Sequence, residues 1–212
     1  MKTALWSLFR SGSVVVSVAI LSGFSRADSL GIKLTGNTPV SNVSVSGSQK
    51  NGSFGLGGGF EYLHPVGRFD VGAELDILSR SRSTGSIIPH VTTQASGLTT
   101  QVLGIGRVRF LRDLLYVGAG VGIAHVSLKG TGKPQAGYTW STPPANNAER
   151  VLVDESATGF AYALRGGFEI PVSARFTVGY ELGYNGTSSM TFGSLKGSTN
   201  SITNSVCVRV KL

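Results

Sequence analysis

The sequence contains a single cysteine, Cys207, and after residue 27 it has no apolar run long enough to cross a membrane as a helix. One cysteine excludes an internal disulfide framework and supplies too few donors for a zinc site. Proline is scarce, at 7 of 212 residues, and no stretch sustains the 3.6-residue period of an amphipathic helix. A helical membrane protein and a disulfide-rich secreted domain are therefore both excluded.

The chain also lacks a strong charge of either sign. Residues 28–212 carry 16 basic and 11 acidic side chains, which gives a net charge of +5. No basic stripe or recognition motif accompanies this mild excess, so we expect no nucleic-acid partner. His64 and His90 have no metal-ligand partners at a useful spacing. We therefore expect no metal site and no cofactor.

Residues 1–27 differ in character from the rest of the chain. Lys2 and Arg10 give a positive start, residues 14–24 are apolar, and small residues at 25 and 27 precede a plausible cleavage point before Asp28. This is the anatomy of a cleaved secretory signal peptide, and its apolar run is too short to span a bilayer. We predict a signal peptide over residues 1–27 and one domain over residues 28–212, which would function outside the cytoplasm.

Apolar residues alternate with polar or small ones in eight segments, and this period of two is typical of β-strands. The segments are residues 30–36, 54–63, 68–80, 99–111, 114–128, 158–170, 175–184 and 200–212. The connections between them are alternately long (37–53, 81–97, 129–157, 185–199) and short (64–67, 112–113, 171–174). An up-and-down meander then places all short turns at one rim and all long loops at the other, as in bacterial outer-membrane barrels. The sequence predicts an all-β, eight-stranded antiparallel transmembrane β-barrel.

The two faces of the predicted strands differ in composition. One face is apolar and uncharged, whereas the other combines charged residues with glycine and alanine. Glycine weakens a strand and gives no benefit on a wet surface, but the lumen of an eight-stranded barrel needs small residues beside large ones. We therefore place the charged face inside and the apolar face in lipid, where a basic residue at the midplane would cost about 2–4 kcal/mol.

A soluble lipocalin-like barrel with an apolar lumen is the alternative orientation. It would scatter the aromatic residues inside, whereas six of them share the outward face near the short turns, as an interfacial girdle does. These are Phe60, Tyr62, Phe69, Phe110, Phe168 and Phe176.

Charges enclosed in a lumen must be paired, because an orphaned buried ion costs several kcal/mol. We predict a closed interior ion-pair network, in which the acids of the third segment meet Arg107 and Arg109 on the next strand and Arg165 or Arg209 across the lumen. The predicted members are Lys33, Glu61, Asp70, Glu74, Asp76, Arg107, Arg109, Arg165, Glu169, Glu181, Arg209 and Lys211. The fourth segment fits the pattern least well, because Leu103 and Ile105 would point inward, and we predict a bulge or register change there.

The stretches "GFAYALRGGFEIPVSARFTVGYELGYNGTSS", "LGIKLTG" and "LLYVGAGVGIAHVSL" resemble the opacity-type and OmpA-like outer-membrane β-barrel domains. The resemblance covers residues 28–212 and implies insertion in the outer membrane, with periplasmic termini and external loops that can bind host ligands. Barrels of this kind usually end in an aromatic residue, whereas this chain ends in Leu212.

His125 and Ser127 lie on one outward face near the external end of the fifth segment. The pair is similar to the His–Ser dyad of the lipid A deacylase family, in which the histidine activates a serine nucleophile. The orienting acid of that family is missing nearby, since the next carboxylate is Glu149. A lipid A esterase is therefore an alternative function, with an ordinary polar pair as the simpler interpretation.

The long loops hold the remaining candidate binding residues. Their bases, including Lys129 and Lys133, could bind acidic glycans or could pair with lipopolysaccharide phosphates, and we favour the phosphates. The third loop offers Tyr138, Trp140 and Arg150 as the candidate external binding site.

Taken together, the sequence predicts a non-enzymatic integral outer-membrane protein with a structural or adhesin-like role. We expect it to be a monomer surrounded by outer-membrane lipid and lipopolysaccharide. The crowded, charged interior argues against a narrow porin, which is the other alternative.

Overall fold

The computed structural model describes residues 28–40, 54–85, 90–111, 113–141, 146–193 and 195–212. The predicted signal peptide at residues 1–27 lies outside these ranges. The strands are β1 (Ser29–Pro39), β2 (Gly55–Val66), β3 (Phe69–Gly85), β4 (Val91–Phe110), β5 (Leu115–Pro134), β6 (Arg150–Pro171), β7 (Phe176–Thr187), β8 (Met190–Phe192), β9 (Leu195–Gly197) and β10 (Asn200–Lys211). The described part of the chain contains no helix that is long and apolar enough to cross a membrane.

Eight of the strands close into a barrel in the order β1-β10-β7-β6-β5-β4-β3-β2. Every neighbouring pair in the barrel is antiparallel. The seam is formed by β1 and β10, which pair from Ser29↔Lys211 to Pro39↔Ser201. The predicted up-and-down barrel is thereby confirmed, with both ends of the barrel domain at the rim that carries the short turns.

Burial follows the predicted alternation along the strands. In β10, Val206 is 50% exposed, whereas its neighbours Ser205 and Cys207 are buried. Apolar side chains therefore point out of the barrel, and charged or small ones point into it. Five of the six predicted girdle aromatics are exposed on the outer surface, and the sixth, Tyr62, is partly buried and donates a hydrogen bond to Asp28 Oδ2 (2.7 Å).

The irregularity predicted for the fourth segment is wrong. The pairing of β4 with β5 runs without a shift from Val91↔Pro134 to Phe110↔Leu115. Leu103 and Ile105 do point inward, and they form an apolar cluster inside the barrel with Leu63 and three alanines. The alanines leave room for the two branched side chains, so no bulge is needed. Register shifts occur elsewhere, between Arg80 and Ser83 in β3 and between Gly130 and Thr131 in β5.

Four strands continue well past the barrel at its long-loop rim. Residues 80–85, 91–97, 128–134 and 150–155 form a sheet that we call the extension, bounded by the row Arg80↔Gly97↔Leu128↔Glu155. At about 3.3 Å per residue it rises roughly 20 Å. The sequence predicted loops at 81–97 and 129–157, because the Ser- and Thr-rich alternation here has little hydrophobic contrast.

The connection predicted as a loop at residues 185–199 contains the short hairpin of β8 and β9. Met190 and Phe192 are buried against Val126, with Leu128 and Ala157 at the margin of this cluster. The hairpin thus packs on the inner face of β5 and β6 at the long-loop rim.

Candidate functional site: the filled lumen and the external sheet

The middle of the lumen holds five interlocked charged residues from four strands. Lys33 Nζ lies 2.5 Å from Glu74 Oε2, 3.4 Å from Glu181 Oε1 and 3.8 Å from Asp76 Oδ1. Arg165 contacts Glu74 and lies 3.0 Å from Asp76 Oδ2 and 3.2 Å from Glu181 Oε1. All five side chains are buried. Two cations therefore hold three carboxylates that have no access to bulk water.

A second group of charges lies nearer the short-turn rim. Glu61 contacts both Arg107 and Arg209, and Arg209 also contacts Glu169. Arg107 Nη1 is 3.4 Å from Glu169 Oε1. The two arginines are thus bridged by two carboxylates, which offsets the repulsion between their guanidinium groups.

Tyr116 joins the two groups and was not predicted. Its hydroxyl donates a 2.8 Å hydrogen bond to Glu181 Oε2, and Arg107 lies over its ring at 4.6 Å from the centroid. Arg209 lies 5.7 Å from the same centroid. Tyr116 occupies the same face of β5 as Gly118 and Gly120, so strict alternation already identifies it as an inward residue. An aromatic ring next to a run of inward glycines, Gly118, Gly120 and Gly122, is the signal that could have revealed it.

Glycines on the inner face leave space for the arginine side chains of the lumen. A Cβ at Gly118 would lie 2.9 Å from Arg107 Cγ, and one at Gly183 would lie 3.1 Å from Arg165 Nη1. A larger residue at either position would crowd the arginine side chain beside it. The glycines of the charged face therefore provide the volume that the arginines occupy.

The structure brings eleven of the twelve predicted charged residues together as ion pairs. Asp70 and Arg109 form a separate pair at the short-turn rim, with Arg109 Nε 2.7 Å from Asp70 Oδ2. The prediction is wrong for Lys211, which is exposed at the last position of β10, because there the strand has reached the rim. The predicted partners are partly wrong as well, since Arg107 and Arg209 pair with Glu61 and Glu169 rather than with the acids of β3.

The candidate external residues are held by contacts within the extension and its loop. The ring of Tyr138 stacks on His90, with centroids 4.0 Å apart, and Tyr138 remains 47% exposed. Arg150 lies over the Trp140 ring at 5.0 Å from its centroid, and Trp140 Nε1 donates a 2.7 Å hydrogen bond to Ala148 O. The predicted trio is thus placed at one end of the extension, with two of its members engaged with each other.

His125 and Ser127 do lie on the outer face, below the start of the extension. His125 Nδ1 is 3.0 Å from Thr158 Oγ1, so a hydroxyl occupies the position that an orienting carboxylate would take in a catalytic triad. Asp154, the acid on the same face of β6, pairs in register with Lys129. In the described ranges, no group of three or more His, Cys, Asp or Glu side chains could hold a metal ion.

Comparison with known proteins identifies the family. The family model described as outer membrane protein beta-barrel domain matches residues 11–209. The chain belongs to this outer-membrane β-barrel family. No curated protein sequence matches the chain significantly.

Several solved barrels are similar in structure to this member of the outer-membrane β-barrel family. The crystal structure of Neisserial surface protein A (NspA) is 11% identical and has a TM-score of 0.45, with 90% of this chain and 99% of that chain covered. The attachment invasion locus protein Ail of Yersinia pestis is 9% identical with a TM-score of 0.43, and 86% of this chain and 98% of Ail are covered. The translocator domain of the autotransporter NalP from Neisseria meningitidis is 9% identical with a TM-score of 0.38, and the coverage is 91% of each chain.

Because the chain belongs to the outer-membrane β-barrel family, the orientation of its barrel in the outer membrane follows from the lengths of its turns and loops. Short turns of such barrels face the periplasm and long loops face the outside, so the extension stands outside the cell. Along β5 toward the outside, the residues on the outer face change from the apolar Val121 and Ile123 to the polar His125 and Ser127. The lipid band therefore ends near Ile123, and the extension begins just beyond it.

Proposed function

We propose that this outer-membrane protein has no enzymatic role and serves as a monomeric surface protein whose extension contacts anionic groups outside the cell. The observation that carries the proposal is the contrast between a lumen filled by charged and apolar layers and a sheet that rises roughly 20 Å beyond the barrel. Filled lumens do not favour solute passage, so the surface presented by the extension is the best candidate for function.

Two lysines on the outer face of β5 support anionic partners. Lys129 and Lys133 are both exposed, and four residues of extended strand place their Cα atoms about 13 Å apart. Such a spacing suits successive phosphates or sulfates on a polymeric or clustered ligand rather than one small ion. Lys129 lies closer to the lipid band, where lipopolysaccharide phosphates are found, and Lys133 lies farther out, within reach of acidic glycans.

Tyr138 and Trp140 lie near the outer end of the same sheet, where Trp140 is on the inner face next to Gly132, and they add aromatic surface to the extension. Aromatic rings that are held in place by stacking contribute contact area with little loss of conformational entropy. Trp140 is already fixed by Arg150 and by Ala148 O, and Tyr138 by His90. This pre-organised loop supports a role in contact with external surfaces.

The experiment compares cells that display the wild-type protein with cells that display a Lys129→Glu, Lys133→Glu double variant. Binding to surfaces coated with a sulfated glycan should fall about tenfold, since two exposed charge contacts contribute roughly 0.7 kcal/mol each. Added salt should reduce wild-type binding, because exposed charges are screened.

Lys211→Glu is the matched control, because it makes the same kind of charge change on an exposed side chain at the periplasmic rim. It should leave binding unchanged. Equal binding by the wild type and the double variant would contradict the proposed role of the lysines, and equal binding to a neutral glycan would contradict the anionic ligand class.

A further inference from the structure

The strand β6 extends farther than the neighbour on one of its sides. Its pairing with β7 begins at Ala161↔Thr187, whereas its pairing with β5 continues as far as Gly132↔Arg150. Over residues 150–159, no strand within the described ranges pairs with β6 on the side of β7, and Phe160 is bonded there by Ser188. The outer end of β6 is therefore a sheet edge ten residues long, which corresponds to about 33 Å of extended strand.

The hydrogen bonds at Phe160 identify which residues face this edge. Ser188 N donates to Phe160 O at 2.8 Å, so the backbone groups of Phe160 point toward the side of β7. Because backbone groups alternate in direction along an antiparallel strand, those of Thr158, Ser156 and Asp154 point the same way. All three residues are exposed. They present alternating N–H and C=O groups at the spacing that an added strand requires.

The charge of this edge indicates which kind of added strand it could bind. Asp154 and Glu155 are exposed, and none of the described cations forms an ion pair with either. Lys129 is the cross-strand partner of Asp154 on β5, the side of β6 away from the edge, so the backbone groups of the edge stay open. A second copy of this chain would bring a second acidic edge against the first, which like-charge repulsion disfavours. A basic strand would instead place its cations beside Asp154.

We infer that the open edge of β6, at residues 154–158, binds an extended basic segment of a partner protein by strand addition. The inference rests on the proposed surface role, and it names the class of partner. Backbone hydrogen bonds to Asp154, Ser156 and Thr158 supply the affinity, and Asp154 selects for lysine or arginine on the outward face of the added strand. The same acids keep the edge from pairing with copies of itself.

The test uses the alternating threonine–lysine peptide TKTKTKTKT as the probe and the full barrel domain in nanodiscs of uncharged phospholipid. Fluorescence anisotropy of the labelled peptide measures binding. Ser156→Pro removes the N–H that faces the open edge and leaves the bonds to β5 intact, since proline is tolerated at such edge positions. We expect binding to weaken about tenfold, through the lost hydrogen bond and the obstructed register.

Ser156→Ala is the matched control, because it removes the hydroxyl but keeps the backbone donor, and it should bind the peptide as the wild type does. Heat-modifiable gel migration shows whether the proline variant has folded. If that variant does not fold, the same binding measurement is made with Asp154→Lys, which should lose binding to the basic peptide. A peptide with central proline, TKTKPKTKT, should bind weakly to every variant.

Equal binding of both peptides, or equal binding by the Ser156→Pro and Ser156→Ala variants, would overturn the inference and leave only general charge attraction. Absence of binding by the wild type would overturn it as well. The glycan assay with Lys129 and Lys133 is independent of the β6 edge. Failure of strand addition is therefore distinguishable from failure of the proposed surface function.

Discussion

Arg165 offers the most direct test of the filled lumen. It contacts Glu74, Asp76 and Glu181, and its side chain is 4% exposed. Replacement by methionine keeps much of the volume but leaves Lys33 as the one described cation within 4 Å of Glu74 and Asp76, whereas Glu181 keeps both Lys33 and, at 3.6 Å, Arg107. Removing one partner from a buried ion pair costs about 3–5 kcal/mol, because the remaining charges stay desolvated. We expect a loss of that size for Arg165→Met, a large fraction of the 5–15 kcal/mol typical of whole proteins.

The measurement is equilibrium unfolding by urea of the barrel domain refolded in phospholipid vesicles, followed by gel migration and circular dichroism. Arg165→Lys keeps the charge but loses the forked geometry, so it should cost less, about 1.5–3 kcal/mol. Lys129→Met serves as the control for removal of a positive charge, and at its exposed position it should change stability by no more than about 0.5 kcal/mol.

A double variant separates loss of the ion pair from loss of packing. Glu74→Gln neutralises one of the carboxylates that Arg165→Met orphans, so the two changes together should cost less than the sum of each alone, by about 0.5–3 kcal/mol. A loss below about 1 kcal/mol for Arg165→Met would refute the reasoning, because it would mean that water screens the charges of the lumen.

Three further predictions concern the membrane surface, the esterase alternative and the pore alternative. Val121→Arg, in the lipid band, should destabilise the barrel by about 2–4 kcal/mol, whereas Ser127→Arg, four residues beyond Ile123, should cost no more than about 1 kcal/mol in the same vesicle unfolding assay. Equal losses would contradict the placement of the band. Mass spectrometry of lipid A should show the same acyl pattern with the wild type, with a His125→Ala variant and without the protein, and a missing acyl chain only with the wild type would instead establish the esterase. Planar-bilayer recordings of the wild type should stay flat, since ion pairs and apolar side chains fill the lumen, and stepwise conductance would contradict this prediction.

The barrel itself could be predicted from the sequence because its two faces differ so sharply. A side chain on the wrong face of a transmembrane strand places a charge in lipid, and that cost enforces a strict period of two. The alternation holds even in β4, where Leu103 and Ile105 point inward against small residues. The lumen-facing residues therefore follow from parity alone, and the same parity places Tyr116 inside, although this uncharged residue was not predicted as part of the network.

Partners within the lumen could not be predicted in the same way. Glu61 belongs to β2, yet it meets Arg107 of β4 and Arg209 of β10, neither of which is its neighbour in the register of β2 with β1 and β3. Such contacts depend on strand tilt and stagger, which bring residues from non-adjacent strands to one level. Lys211 shows the corresponding limit at the rim, where inward parity no longer means enclosure.

The extension was not predicted, because the surroundings of the strands change from lipid to water while the β-strand conformation continues. Beyond Ile123, the outer stripe of β5 meets water instead of lipid, so serine, threonine and lysine replace apolar residues. Past Leu128 both faces of β5 are polar or small, and a hydrophobic period of two disappears although the hydrogen-bonded ladder continues. Long polar connections in other outer-membrane barrels should be examined for the same hidden alternation.

The filled lumen and the external edge are connected through a single strand. β6 carries Arg165 in the middle of the barrel and the open edge residues at 154–158. An edge that must accept another strand binds best when it is already extended, because ordering a flexible segment would consume part of the binding free energy. The ion pairs of Arg165 fix the position of β6 within the membrane, and its ladder with β5 carries that order outward to Arg150. The ion pairs of the lumen therefore support binding at the external edge, because they keep β6 extended before a partner strand is added.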